Sequence, residues 1–381
     1  MKPKVAFYVF NHTSVGGVER VTANLIALFI QNGIYVDSLL SLRDAKESNS
    51  MIKHPKDLHI QQIDWKDITN DLTHYLNKRK ITHLIFQGDN MTISKSILKA
   101  LHNTNCKGYL HYHGSPYAYL KKHLYWSDIK EKPINAIKII IAKIFYPFKK
   151  RKLKQIIQQS SDGFVTVSNG VRLELKQLYK KDFPQVVTIH NPISYTEKTV
   201  VDLTTKENKI IFVSRLERKH KNAFLSIKAW QLIHEKYPDW EFQVLGDGRL
   251  FKEIKTFKKD NNITNLQLFG QVNNVNAYLE KSSISVLTSD CEGFGMGIFE
   301  SIANKNAIVS TESDGGVKDL ITDGFNGFIV PRNDIKQLSD KIEQLINDKE
   351  LREKMANNSF ERYQSLINEN AFRQWKVLLN I

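Results

Sequence analysis

The chain reads as two doubly wound α/β domains in tandem, and three observations predict it. Apolar runs of strand length recur along the whole sequence, helix-length amphipathic segments separate them, and the alternation starts afresh after residue 200. A length of 381 residues accommodates two domains of ordinary size.

In the first series the strands are expected at residues 5–10, 35–42, 83–86, 108–113, 163–168 and 186–190, with the clearest helix at 19–31. In the second they are expected at 210–214, 241–245, 266–269, 284–287, 307–310 and 327–330. Most of these runs are apolar throughout rather than alternating, as parallel strands covered on both faces are. Between the series, Asn191-Pro192-Ile193-Ser194-Tyr195-Thr196-Glu197-Lys198 breaks the pattern with a proline and polar residues, which predicts the linker. Domains are therefore expected at 1–195 and 196–356. A helical segment follows at 357–381, whose Phe360, Tyr363, Phe372, Trp375, Leu378 and Leu379 call for a surface to dock on, back across the domains.

Composition narrows the function. Two distant cysteines, Cys106 and Cys291, give neither a disulfide framework nor a metal-ligand spacing and fit a reducing cytosolic setting. The N-terminal apolar run at 5–10 is strand-sized, so neither a signal peptide nor a membrane span is expected. Of the net charge of +15, all sits in the first half: residues 1–195 carry 29 Lys+Arg against 14 Asp+Glu, the remainder 26 against 26. A basic domain joined to a neutral one predicts that the first meets something acidic, whether nucleic acid, anionic lipid or a phosphate-bearing substrate.

Open α/β sheets bind ligands beyond the carboxyl ends of their strands, and two such sheets facing one another leave a cleft there. The loop after the first strand holds Gly16 and Gly17 just before a helix, which suits either an anion site or simply a tight turn. After the strand at 284–287 comes Thr288-Ser289-Asp290-Cys291-Glu292-Gly293-Phe294-Gly295-Met296-Gly297, with helix following from about 298. Its alternating glycines offer backbone amides and a helix dipole to an anion. Glu292 and Glu300 would repel a phosphate, so sugar hydroxyls are their expected partners, and neither reads as a core position. The loop after 210–214 supplies Arg215, Arg218, Lys219 and Lys221, cations fit to neutralise a diphosphate or to form a solvated basic turn. Spacing leaves Lys219 and Lys221 as alternatives. In the stretch Leu110-His111-Tyr112-His113-Gly114-Ser115-Pro116, strand alternation puts His111 and His113 on one face.

Taken together, Gly16-Gly17-Val18-Glu19-Arg20, Ser214-Arg215-Leu216 with Lys221-Asn222, Leu245-Gly246-Asp247-Gly248, Glu292-Gly293-Phe294-Gly295 with Glu300, and Asp323-Gly324-Phe325-Asn326-Gly327-Phe328 resemble the family 4 retaining glycosyltransferases, of the bacterial polysaccharide or cell-wall glycan type. The resemblance spans essentially the whole chain and implies the GT-B arrangement of two Rossmann-like domains facing across a cleft, the first on the acceptor side and the second binding the nucleotide sugar. It implies that Arg215 and Lys221 hold the donor diphosphate, although the spacing between them departs by one residue from the commonest pattern. It implies amides from Gly295, Met296 and Gly297, and Glu300 on the ribose. Glu292, with the amides of Gly293 and Phe294, would address the transferred hexose or N-acetylhexosamine, and His113, with His111 as the competing candidate, would touch it near C6. A UDP-linked donor is expected. Retention in this family resembles a front-face mechanism without a protein nucleophile. No two aspartates are separated by a single residue, so the Asp-x-Asp metal grip of other sugar transferases is missing and neither metal nor cofactor is expected.

Residues 121–154 hold eleven Lys and Arg against Asp128 and Glu131, interleaved with Ile139, Ile144, Phe145, Tyr146 and Phe148. Such a stretch is expected to lie on an anionic membrane, or to meet a teichoic-acid-like polyanion, through Lys149, Lys150, Arg151 and Lys152; a solvated helix is the plainer alternative. The expected protein is a peripheral enzyme on the inner face of the plasma membrane with a glycan, lipid-linked or polyanionic acceptor. Other nucleotide-sugar chemistries on the same fold, an epimerase or a phosphorylase, are less well matched. Nucleic acid is not an expected partner, because no recognition helix or RNA-binding sheet accompanies the charge.

Overall fold

The computed structural model describes residues 3–12, 16–42, 54–88, 90–121, 134–193, 201–218, 220–368 and 371–381. The chain divides into two compact units, Met1–Ser194 with Glu369–Ile381, and Tyr195–Asn368. Most of the expected linker, residues 194–198, lies outside the described residues, as do Lys219 and residues 122–133 of the basic stretch.

In the first unit seven strands form one parallel sheet: β1 (Val5–Val9), β2 (Val36–Ser41), β3 (His59–Gln62), β4 (His83–Gln87), β5 (Lys107–Tyr112), β6 (Gly163–Thr166) and β7 (Val186–Thr188). Their order, β3-β2-β1-β4-β5-β6-β7, reverses between β1 and β4. Every residue of β1, β2, β4 and β6 is buried, which is why these strands announce themselves as apolar runs. The edge strand β3, His-Ile-Gln-Gln, has no buried residue and no apolar run, and periodicity does not find it. Asp37, buried in β2, is neutralised by Arg79 through a two-point contact at 2.9 and 3.0 Å and by Lys4 at 3.0 Å. Helices α1 (Gly17–Gln31), α2 (Ile68–Arg79), α3 (Met91–His102), α4 (Pro116–Lys121), α5 (Ile134–Gln159) and α6 (Asn169–Tyr179) accompany the sheet.

The second unit repeats the design with β8 (Glu207–Val213), β9 (Glu241–Leu245), β10 (Leu266–Gly270), β11 (Ser282–Leu287), β13 (Ala307–Thr311) and β15 (Gly327–Val330), in the order β10-β9-β8-β11-β13-β15. Two short segments, β12 (Cys291–Glu292) and β14 (Asp314–Gly315), pair with each other beside it. Its helices are α7 (Ala223–Gln231), α8 (Phe251–Asp260), α9 (Val275–Lys281), α10 (Met296–Ala303), α11 (Val317–Leu320), α12 (Ile335–Asn347) and α13 (Lys349–Asn368).

The last helix, α14 (Ala371–Leu379), belongs to the first unit, whereas residues 357–368 stay with the second as the end of α13. The expected terminal segment is thus divided. Trp375 is fully buried edge-on to Phe29 and His111, with ring centroids 6.4 and 5.3 Å away. His83 Nε2 meets the Leu379 carbonyl at 3.1 Å.

Candidate functional site

In each sheet the order reverses at the first strand of the unit, and ligands of open α/β folds sit beyond the carboxyl ends at that point. In the second unit this is where the loops after β8 and β11 meet. The Thr288 hydroxyl donates to the carbonyls of Lys221 and Asn222 at 3.2 and 3.0 Å, and the Asp290 amide to that of His220 at 2.9 Å. His220 and Asn222 both adopt left-handed backbone, at φ 68° and 43°, an uncommon conformation for non-glycine residues that such tethering maintains. The backbone of the basic loop is therefore held in place at His220–Asn222, while the Arg215 and Arg218 side chains stay exposed.

The tethering aims Lys221 at Glu292. Its ammonium lies 2.6 Å from Glu292 Oε1, and the Ser289 hydroxyl donates to the same oxygen at 2.6 Å. The backbone of Glu292 is fixed by β12, its carbonyl accepting the Gly316 amide at 2.8 Å. Gly315 has φ 93°, and a Cβ there would come within 1.9 Å of that carbonyl, so the approach requires glycine. One loop further, Gly295 at φ 96° turns the chain into α10, whose start has no side-chain cap. The amides of its first turn are a ready anion site.

Glu292 is only 9% exposed and Glu300 only 1%, which corrects the expectation that neither is a core position. All residues of α10 from Ile298 to Ala303 are buried, so its polar face is covered as well as its apolar one. Arg215, by contrast, is exposed, with Glu217 3.6 Å away. The structure thus joins Lys221, Glu292 and Ser289 and leaves Arg215 in solvent. In the first unit, Glu19 in the first turn of α1 lies against Gly16: a Cβ on Gly16 would meet its carboxylate at 2.2 Å. At this helix start the protein supplies its own negative group at the place where the paired glycines suggest an anion.

Sequence reasoning misses two residues. Gln87, at the end of β4, places Oε1 2.9 Å from His111 Nδ1 and 2.5 Å from His113 Nε2. An amide oxygen only accepts, so both nitrogens carry protons, and His113 keeps Nδ1 as an acceptor. Burial lowers His113 to about 3 and, with His113 beside it, pushes His111 well below the ordinary histidine range. Both imidazoles are neutral in the fold and protonate on unfolding below about pH 6.5. Stability is therefore expected to fall as pH drops through about 6.5, by about 1.4 kcal/mol per pH unit for each histidine. Thermal melts between about pH 7 and 5 check this. His113→Asn should flatten the slope, and an unchanged slope refutes the assignment.

The second missed residue is Lys206. Its ammonium lies within hydrogen-bonding distance of the carbonyls of Leu279, Ser282 and Asn304 and of Asn306 Oδ1, at 2.9, 2.8, 2.6 and 2.8 Å. It ties together the ends of α9 and α10 and the start of β11, where sequence shows only a lysine ahead of a strand.

The cations expected on the surface are largely spent on neighbours. Lys149 donates to the Tyr119 carbonyl at 3.1 Å, Lys150 lies 5.7 Å over the Tyr179 ring, and Lys152 donates to the Thr92 hydroxyl at 2.8 Å; Arg151 is exposed. What α5 presents instead is an apolar stripe. Ile137, Ile140, Ile141, Ile144, Phe145 and Phe148 are all exposed, between 48% and 67%, at helical spacing on one face. The opposite face, with Leu153, Ile156 and Ile157, is buried in the unit's core. Among the described residues no helix is long and apolar enough to cross a membrane, and no group of three or more His, Cys, Asp or Glu is placed to hold a metal ion.

Residues 196–362 match the family model of glycosyl transferases group 1. An uncharacterized glycosyltransferase of Haemophilus influenzae is 24% identical over 99% of each chain. The poly(glycerol-phosphate) alpha-glucosyltransferase of Bacillus subtilis is 27% identical over 51% of this chain, which spans only 28% of that protein's length. Among solved structures, a mutant of S. aureus TarM, in complex with fondaparinux, alpha-GlcNAc-glycerol and UDP, superposes with a TM-score of 0.78 over 100% of both chains at 16% identity. The fold is that of GT-B proteins.

Proposed function

We propose, from the premise that the chain is a glycosyltransferase of GT-B fold, that it is a family 4 retaining enzyme moving a hexose or N-acetylhexosamine from a UDP-sugar to a cell-surface polymer or lipid-linked glycan. The observation that carries this reading is the Lys221–Glu292–Ser289 cluster beside the uncapped start of α10. Arg215 and Lys221 neutralise the diphosphate, and the amides at Gly295, Met296 and Gly297 add oriented dipoles. Glu292, held by Lys221 and Ser289, accepts from hydroxyls of the transferred sugar, and Glu300 serves the ribose. From the first unit, His113 presents its Nδ1 acceptor to the sugar.

Glu292 Oε1 already accepts from two donors, an arrangement suited to holding the sugar, and the proposed front-face course takes no nucleophile from the protein. The acceptor oxygen bonds to the anomeric carbon as the bond to the diphosphate breaks. The acceptor proton passes to a phosphate oxygen on the same face. The α linkage in the name of the Bacillus relative and the α-GlcNAc-glycerol and UDP named in the S. aureus complex support retention, because common hexose donors are α-linked. Incubation with UDP-glucose and UDP-N-acetylglucosamine, with NMR of the product's anomeric proton, tests the reading; an inverted linkage overturns it. Activity is expected to persist in excess EDTA, and loss restored by manganese would overturn metal independence.

The apolar stripe of α5 supports peripheral attachment to the inner face of the plasma membrane. An interfacial helix buries one apolar face among acyl chains while flanking cations meet anionic headgroups. Ile141→Asp with Ile144→Asp is expected to abolish co-sedimentation with vesicles containing phosphatidylglycerol. Retained binding would show the stripe to be idle.

A further inference from the structure

The first unit contains a trough that the donor chemistry leaves unused. Beyond the carboxyl ends of β1, β2 and β3 lies a hollow of about 810 Å³, lined in part by Phe10, Gln62, Trp65, Asn90, Thr92 and Ser96. Phe10 and Asn90 also line a smaller hollow of about 240 Å³ that reaches Gln87 and Gly88. The two make one path from Trp65 to the amide that orients His113.

The lining has the character of a sugar site. Trp65 and Phe10 are 66% and 43% exposed and line the same hollow, so two aromatic rings are presented to whatever enters it. Polar groups surround them in defined states. Asn90 spends Oδ1 on capping α3, accepting the amides of Thr92 and Ile93 at 3.0 and 3.3 Å, so its Nδ2 is left to donate. The Thr92 hydroxyl accepts from Lys152 and can donate outward. Gln62 donates Nε2 to the Leu42 carbonyl at 3.5 Å and Ser96 its hydroxyl to the Thr92 carbonyl at 3.4 Å, so each offers the trough an oxygen acceptor. Aromatic faces for C–H surfaces, with a few placed polar groups for hydroxyls, match a pyranose. At the rim, burial and the neighbouring Lys95 ammonium lower Lys152, so an anion there would relieve crowded positive charge.

The geometry points to this trough as the acceptor site: a sugar ring of the acceptor stacks on Trp65, and a phosphate of the same chain meets Lys152. The assignment rests on the reading that the chain glycosylates a glycan, and it names that acceptor as one carrying both sugar and phosphate. Of the two partners expected for Lys152, membrane or polyanion, it selects the polyanionic substrate.

Two measurements test it. Titration with a glucosylated glycerol-phosphate oligomer is expected to shift the tryptophan emission of the parent, and the shift should vanish in Trp65→Phe if stacking on the indole produces it. Trp65→Ala should raise the acceptor KM at least tenfold. Lys152→Gln should raise it several-fold for the phosphate-bearing oligomer but not for maltotriose. Emission that does not respond, or an acceptor KM within twofold of the parent in Trp65→Ala, overturns the site. A parent that transfers sugar to no acceptor overturns the enzymatic reading instead, and the fluorescence titration then still decides the trough.

Discussion

Lys221→Met is expected to cost at least about a hundredfold in kcat/KM, the scale at which a preorganised donor to a developing anion is lost. Two effects combine. The diphosphate loses a cation, and Glu292, 9% exposed, loses the ammonium 2.6 Å from its carboxylate. Removing one partner of a buried pair costs about 3–5 kcal/mol, and a lysine side chain that keeps 23% of its exposure brings the expected stability loss to about 2 kcal/mol. The double variant Lys221→Met with Glu292→Gln separates the two. It should recover most of the stability, because no charge is left stranded, and none of the activity. Recovery of both would make the pair structural. Near-normal kinetics in the single variant would remove Lys221 from the donor clamp.

Lys206→Met should have the largest effect on stability. It leaves four oxygens in a covered space without their shared donor, and one unsatisfied buried polar group costs about 1–3 kcal/mol. A total of about 3 kcal/mol lowers Tm by about 6–12 °C in a unit of this size. Lys206→Arg should not rescue it, because a planar fork cannot reach oxygens arranged around an ammonium. A melt within about 2 °C of the parent would show that the oxygens find other partners.

The sequence displays most of the fold because parallel strands buried on both faces must be written in apolar residues. Eleven of these runs leave little choice of architecture, and a twelfth, 186–190, is the shortest strand of its sheet. The polar edge strand β3 escapes, since an exposed strand needs no such spelling. The site is legible where chemistry demands a local pattern, as in the glycines around Glu292. Gln87 and Lys206 are hidden because each acts on partners far away in sequence, and an isolated glutamine or lysine carries no trace of them. The burial of Glu292 and Glu300 escapes for the opposite reason: local polarity reads as exposure, while neighbouring elements cover both.

That α14 belongs to the first unit has a consequence for the order of events at the ribosome. The second unit is one continuous stretch, Tyr195–Asn368, and can fold as soon as it emerges. The first unit must wait. Its sheet is synthesised early, yet the indole that abuts His111 arrives only after the whole of the second unit has been made. During that interval the histidine pocket lacks one wall and the apolar surface around Phe29 stands open to water or to a chaperone. Completion of the earlier-made half is thus postponed until α14 has been made, and a chain lacking that helix would release a finished second unit attached to an unfinished first.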